Sequence, residues 1–149
     1  MRWLAQRPQL KRGPLGCDMA SHKTDIPRPI PDERPLSKGE RDLARWMLDH
    51  GEARAREFLS QLDGARVVSR CPCGCASIDF EVEGLSPPTG GLRILGDFVF
   101  GSDSDLAGAF VFERNGVLAG LEVYGLAGDA PKTLPAPSAL RPFAAERGR

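Results

Sequence analysis

Apolar and polar residues alternate most regularly between Ile78 and Glu83, where Ile, Phe and Val alternate with Asp and Glu. A period of two predicts a β-strand with one apolar face and one polar face. Less regular patterns predict four more strands, over residues 66–70, 92–100, 109–114 and 117–124. The last two flank Asn115-Gly116, a dipeptide that strongly favours a two-residue hairpin turn.

Two helices are predicted ahead of these strands. Ser37 lies three residues before Glu40, and this spacing is typical of a capping box at the start of a helix. Apolar residues such as Trp46 then recur at helical spacing. We expect the first helix to end at His50-Gly51 and the second to cover residues 52–62.

The order of these elements predicts an α+β fold, with two N-terminal helices packed on one face of a four- to five-stranded antiparallel meander. Prolines concentrate in both flanks, where they remove backbone hydrogen-bond donors. We therefore expect a flexible Pro-rich extension over residues 1–35, a single α+β domain over residues 36–128 and a Pro-rich tail over residues 129–149. Met19 is an alternative start, which would make residues 1–18 an upstream extension.

The composition is typical of a soluble globular protein. The chain has 149 residues, of which 41% are hydrophobic and 27% are charged, enough for one modest core. No apolar run approaches the roughly 18–20 residues of a membrane span, and charges and prolines interrupt the N-terminus before a signal peptide can form. We expect a cytoplasmic protein without a membrane partner.

Charge is balanced overall but is uneven along the chain. Residues 72–128 contain eight acidic residues and only two basic ones, so this region repels nucleic acid, and no nucleic-acid partner is expected. Asp79, Glu81 and Glu83 lie on one face of a predicted strand, and they form a candidate acidic docking face for a basic protein. A solvated strand face is the alternative interpretation.

Three of the four cysteines lie within five residues, Cys71-Pro72-Cys73-Gly74-Cys75. Proline at the second position and glycine at the fourth favour a type I turn, which would bring Cys71 close to Cys75 or Ala76. Three interpretations are open: a turn of small residues packed against the helices, a soft-metal site, or a thiol redox site. The first is favoured, so no cofactor is expected, with zinc as the alternative.

A structural zinc site needs four ligands, and the cysteine turn supplies three. His50, at the end of the first predicted helix, is the best fourth candidate, so the metal-site hypothesis consists of Cys71, Cys73, Cys75 and His50. A redox site would need a group that lowers a thiol pKa. The sequence shows no helix N-terminus or base that does so, although Arg70 is close by.

Catalytic groups are scarce. The chain has two histidines and no glycine-rich phosphate loop, so no catalytic residue is assigned and an enzyme is not favoured. The leading hypothesis is a small non-catalytic cytosolic binding or regulatory protein. The alternative is a thiol-based metal-binding or redox protein that uses the turn from Cys71 to Cys75.

The cysteine turn and its flanks, Ala65-Arg66-Val67-Val68, Arg70-Cys71, Cys73-Gly74-Cys75 and Ser77-Ile78-Asp79, resemble a set of small bacterial proteins, chiefly from actinomycetes. The resemblance extends over about residues 36–143. It implies a similar layout of two helices, a cysteine turn and a strand hairpin, and it brings no established activity.

Overall fold

The structure is a computed structural model that describes residues 27–143. Seven strands form one antiparallel sheet, in the order β1-β2-β3-β6-β5-β4-β7. The strands are β1 (Ile30–Pro35), β2 (Ala65–Arg70), β3 (Ile78–Val82), β4 (Leu92–Phe100), β5 (Ala107–Arg114), β6 (Val117–Gly125) and β7 (Arg141–Pro142). The helices are α1 (Lys38–Asp49) and α2 (Leu59–Leu62), with 3-10 turns at Ala55–Phe58 and Pro137–Ala139.

The predicted arrangement of two N-terminal helices on a four- to five-stranded meander is wrong. The sheet has seven strands, and of the two α-helices only α1 is longer than one turn. Where the second helix was expected to begin, the Glu52 amide donates to the Leu95 carbonyl of β4 at 2.8 Å. The chain is therefore still bound to the sheet at this point, and helical structure starts only at Ala55.

The sheet also differs from a meander in its connections. It contains two three-stranded antiparallel units, β1-β2-β3 and β4-β5-β6, which join through β3 and β6, and β7 adds a seventh strand next to β4. Ile78 is paired with Leu121 and Asp79 with Gly120 at this junction. A prediction that pairs each strand with the next one along the chain misses this long-range contact.

Both outer strands come from the proline-rich flanks. β1 contains Pro31 and Pro35 and pairs only with β2, which is compatible with proline because an edge strand has unpaired amide positions. β7 pairs with Phe98 and Val99 of β4. These strands lie in the segments predicted as the extension and the tail, and the remainder of both predictions, residues 1–26 and 144–149, lies outside the described residues.

Helix α1 packs against β4 and β5 of the sheet. It begins with the predicted capping box, which is confirmed: the Glu40 amide donates to Ser37 Oγ at 3.1 Å, and the Ser37 amide donates to the Glu40 carboxylate at 2.8 Å. Its buried residues join the hydrophobic core formed by the inner face of the sheet, and they are Leu43, Ala44, Met47 and Leu48.

The predicted hairpin between β5 and β6 is also confirmed. Asn115 and Gly116 both have positive φ, 52° and 83°, as a type I′ turn requires. No helix within residues 27–143 is long and apolar enough to cross a membrane.

Candidate metal centre

The cysteine segment forms the turn between β2 and β3. The Gly74 amide donates to the Cys71 carbonyl at 3.2 Å, which is the hydrogen bond of the predicted turn. Gly74 has a φ of +92°, a conformation that glycine adopts without a steric cost. The Cys71 amide donates to the Ser77 carbonyl at 3.2 Å, so the backbone of Cys71 faces Ser77 rather than Cys75 or Ala76.

The three sulfur atoms nevertheless converge. The Sγ atoms of Cys71, Cys73 and Cys75 all lie within 4.8 Å of one another. The Sγ atoms of Cys71 and Cys73 are 3.1 Å apart, and the Cys75 amide donates to Cys73 Sγ at 3.4 Å. The turn thus brings together three side chains that a regular strand would spread along one face of the sheet.

Cys75 and Ser77 lie on the inner side of the sheet. Cys75 is 7% exposed and Ser77 is 5% exposed, whereas Cys71 and Cys73 are half-buried against the core. An unbroken strand would have placed these residues on the polar face with Asp79. Because β3 begins only at Ile78, after the left-handed backbone at Gly74, the alternation is interrupted and Cys75 is directed inward.

Ser77 fixes the end of the turn to β6. Its Oγ accepts from the Val123 amide at 2.9 Å and donates to the Val123 carbonyl at 3.3 Å. The Ala76 amide donates to the Pro131 carbonyl at 3.0 Å, which ties the turn to the segment after β6. The positions of the sulfur atoms are therefore set by contacts with residues about 45–55 positions away in the sequence.

The thiols of Cys71 and Cys75 interact strongly. Their hydrogen bond is the main cause that lowers the pKa of Cys75 to about 6, and Ser77 contributes further hydrogen bonds. The same bond raises the pKa of Cys71, together with its burial. The pair therefore favours a thiolate on Cys75 that accepts from the Cys71 thiol.

The oxidation states of the three cysteines differ. Cys71 and Cys75 keep their thiols, whereas Cys73 is disulfide-bonded, and to neither of these two neighbours. A cysteine binds a metal ion as its thiolate and not as a disulfide. Cys73 must therefore be reduced before all three sulfurs can act together.

His50 is not brought to the cysteines. It is exposed after the last residue of α1, its ring stacks on Trp46 with centroids 4.0 Å apart, and its Nδ1 lies 2.8 Å from the Trp46 carbonyl. Gly39, at the opposite end of α1, lines the same cleft as Cys75, and a 12-residue helix is about 18 Å long. Among residues 27–143, the cluster of metal-ligating side chains consists of the three cysteines alone.

The acidic residues Asp79 and Glu81 of β3 alternate with its buried apolar residues, and Glu83 follows the strand. Ile78, Phe80 and Val82 are buried, while Asp79 and Glu81 are half-buried and Glu83 is exposed. Asp79 accepts from Ser69 Oγ at 2.7 Å, and burial raises the pKa of Asp79. Its carboxylate is thus already bound within the sheet, and a basic partner at this docking face stays a prediction.

An open cleft of about 670 Å³ lies next to Cys75. Its walls come from the end of β1, the start of α1 and residues 132–137. The sequence analysis noted that Arg70 is close to the cysteines but missed this cleft and its basic residue Lys132, because no local pattern shows that residue 132 returns to the cysteine turn. A polar residue directly before the apolar Ile78 was the available signal for the special position of Ser77.

Comparisons with known proteins identify no relative. No protein-family model matches the chain, and neither a curated protein nor a solved structure matches it. The resemblance to small actinomycete proteins stays an expectation from the cysteine motif. Function is therefore inferred from the geometry of the described residues.

Proposed function

We propose that the protein binds a soft metal ion through the thiolates of Cys71, Cys73 and Cys75. The observation that supports this is the convergence of three sulfur atoms within 4.8 Å. Zinc–sulfur bonds of about 2.3 Å in tetrahedral geometry hold neighbouring sulfurs about 3.8 Å apart. Small side-chain rotations are therefore enough to place all three sulfurs on one ion.

The donor set determines the class of metal. A site made only of thiolates favours Zn(II) or Cu(I) over the hard cations Mg(II) and Ca(II), which prefer oxygen. The backbone of the turn is held by β6 and by Pro131, so the ligands are positioned before the metal arrives. This arrangement supports the metal-binding function that the sequence analysis gave as its alternative. The three cysteines are then the ligands, and His50 is not one of them.

Metal binding at all three cysteines is coupled to reduction and to proton release. The disulfide of Cys73 must be reduced, and each thiol that binds the metal must lose its proton. Binding is therefore expected only with a reductant, and it should strengthen as the pH rises.

Cobalt(II) titration of the reduced full chain tests the proposal. A phosphine reductant keeps the cysteines as thiols without adding a competing sulfur ligand. We expect one cobalt per chain, with thiolate-to-metal charge-transfer absorption that zinc displaces. Without the reductant, binding should weaken strongly because Cys73 is unavailable.

Variants identify the ligands. The triple variant Cys71→Ser/Cys73→Ser/Cys75→Ser should lose the charge-transfer band. The control variant His50→Ala should keep it, because this side chain lies at the far end of α1. An unchanged band in the triple variant, or its loss in His50→Ala, would contradict the proposal.

A further inference from the structure

We propose that Cys71 and Cys75 form a site of thiol–disulfide exchange that acts on low-molecular-weight disulfides carrying a carboxylate. The product on the protein is a disulfide bond between these two cysteines. This activity goes beyond the proposed metal binding and does not depend on it. It follows from the arrangement of the two thiols, their access to the open cleft and the charges on the cleft wall.

The two thiols lie close together before any bond forms. Cys71 and Cys75 keep their thiols, share a hydrogen bond and have Sγ atoms within 4.8 Å of each other. A disulfide bond is about 2.0 Å long, so the two sulfurs must approach each other by less than about 3 Å. Rotation of the side chains between staggered conformers supplies a movement of this kind.

The backbone of the turn holds both cysteines in place. The hydrogen bonds from the Gly74 amide to the Cys71 carbonyl and from the Cys71 amide to the Ser77 carbonyl are both 3.2 Å long. They fix Cys71 at one end of the turn, and the bond of 3.0 Å from the Ala76 amide to the Pro131 carbonyl fixes the other end. The two sulfurs are therefore held near each other by contacts that do not involve a disulfide bond.

Cys73 offers a competing reaction. Its sulfur lies 3.1 Å from Cys71 Sγ, and it is disulfide-bonded to neither Cys71 nor Cys75. A thiol of the pair that attacked the disulfide of Cys73 would produce a different bond in the same cluster. The variant Cys73→Ser removes this reaction and keeps the proposed one.

A small disulfide reaches the pair through the open cleft. Cys75 forms part of the cleft wall, and Cys71 is half-buried. The cleft volume of about 670 Å³ falls within the range of roughly 300–1,000 Å³ that is typical of small-molecule sites. The cleft therefore admits a small molecule next to Cys75.

The carboxylates of the cleft wall are neutralised by ion pairs. The lining contains two carboxylates and three basic side chains. Glu40 forms a two-point contact with Arg34, with both N–O distances 2.9 Å. Asp42 is paired with Lys38 at 2.6 Å. These carboxylates therefore contribute little net negative charge to the wall.

The two other basic side chains make the wall attractive to an anion. Arg70 is 48% exposed, and its contact with Asp32 is long, at 4.0 Å. Lys132 lies at the cysteine turn, because a Cβ atom built on Gly74 would be 3.7 Å from Lys132 Nζ. A carboxylate of the small disulfide can thus contact Lys132 while one of its sulfurs reaches Cys75.

The exchange consists of two displacements. One protein sulfur attacks the small disulfide as a thiolate, forms a mixed disulfide and releases one small thiol. The second protein sulfur then displaces the other small thiol and completes the bond between Cys71 and Cys75. The two protein thiols lose two electrons and two protons, and the small disulfide takes them up to become two thiols.

Peptide mass spectrometry of the metal-free, full-length variant Cys73→Ser tests the exchange. The variant is reduced with a phosphine, separated from it, treated with dithiodipropionate, alkylated and digested with trypsin. Residues 71–93 form one tryptic peptide, in which Cys71 and Cys75 are then the only cysteines. We expect this peptide to contain an internal disulfide. The matched double variant Cys71→Ser/Cys73→Ser should instead keep the small thiol as a mixed disulfide on Cys75.

The rate of the reaction tests the substrate class. Cystamine, a cationic disulfide of similar size, should form the internal disulfide about three- to tenfold more slowly, because the partly exposed cations of the wall repel it. Lys132→Ala in the Cys73→Ser background should lose most of this difference. Arg56→Ala in the same background, a control outside the cleft, should keep it.

The outcomes distinguish this inference from the proposed function. A peptide without the internal disulfide, or with mixed disulfides in its place, would overturn the exchange site. Equal rates with the two small disulfides, or a difference that Lys132→Ala leaves unchanged, would overturn the assigned substrate class. A failure of cobalt binding would contradict the proposed function alone, because the exchange is measured on the metal-free chain.

Discussion

At the edge of the candidate site, the side chain of Ser77 forms hydrogen bonds with the backbone of β6. Ser77 is 5% exposed. Its hydroxyl group accepts a hydrogen bond from the Val123 amide and donates one to the Val123 carbonyl. Its Oγ also lies 3.4 Å from Cys75 Sγ. The hydroxyl thus connects the fold of the sheet with the position of the most buried sulfur.

Replacement of this hydroxyl group should destabilise the protein. Ser77→Ala leaves two buried backbone groups of Val123 without these hydrogen bonds, and we expect a loss of about 1–3 kcal/mol in the free energy of unfolding. Urea denaturation measures the effect, with the exposed Ser86→Ala as the control. Equal stability of the two variants would show that the bonds of Ser77 contribute little.

Asp79 should make the folded protein less stable as the pH rises, whereas most carboxyl groups have the opposite effect. Burial raises the pKa of Asp79, so the folded state holds the proton more tightly than the unfolded state does. The contribution of Asp79 to the free energy of unfolding is complete below the pKa of about 3.9 that an aspartate has in the unfolded chain. This contribution is lost as the pH rises through the pKa of Asp79 in the folded protein.

Asp79→Asn removes the charge and keeps an acceptor for Ser69. We expect this variant to melt at a higher temperature than the parent at pH 7 and to lose its advantage below about pH 4. Thermal melts across this range measure the difference, with the exposed Glu83→Gln as the control. A variant that is less stable than the parent at pH 7 would contradict the assigned direction.

At the scale of elements, local signals predicted some structures well and missed others. The capping box of Ser37 and Glu40 predicted the start of α1, and Asn115-Gly116 predicted the hairpin, because short-range hydrogen bonds decide both. The second helix was predicted too long, since a contact with Leu95 holds the Glu52 backbone. β1 was missed because its prolines indicated an extended flank, although an edge strand tolerates them.

Strand β1 should contribute to the stability of the sheet. A chain that starts at residue 36 lacks the pairing of β1 with β2 and the contact between Arg34 and Glu40. We expect its melting temperature to fall by at least about 5 °C, and we expect more self-association because the edge of β2 is exposed.

The control is a chain that starts at residue 27 and keeps every described residue. Differential scanning calorimetry and light scattering compare the two chains at the same concentration. Equal melting temperatures and equal association would mean that β1 adds nothing to the sheet.

At the scale of the whole molecule, the candidate site depends on contacts between distant parts of the chain. The sequence predicted the cysteine turn, because three thiols within five residues form a local feature. It could not predict the cleft, since Lys132 and Arg70 meet there only after β6 pairs with β3 and the following segment returns to Ala76. For the same reason the sequence analysis selected His50 as a ligand, although His50 follows the last residue of α1 and only the first turn of this helix lines the cleft with Cys75.

X-ray absorption at the zinc K-edge of the reduced, zinc-loaded full chain tests the central claim most directly. We expect at least three sulfur scatterers at about 2.3 Å, without the outer-shell scattering of an imidazole ring. A first shell made only of oxygen and nitrogen, or clear imidazole scattering that His50→Ala removes, would contradict the three-cysteine site.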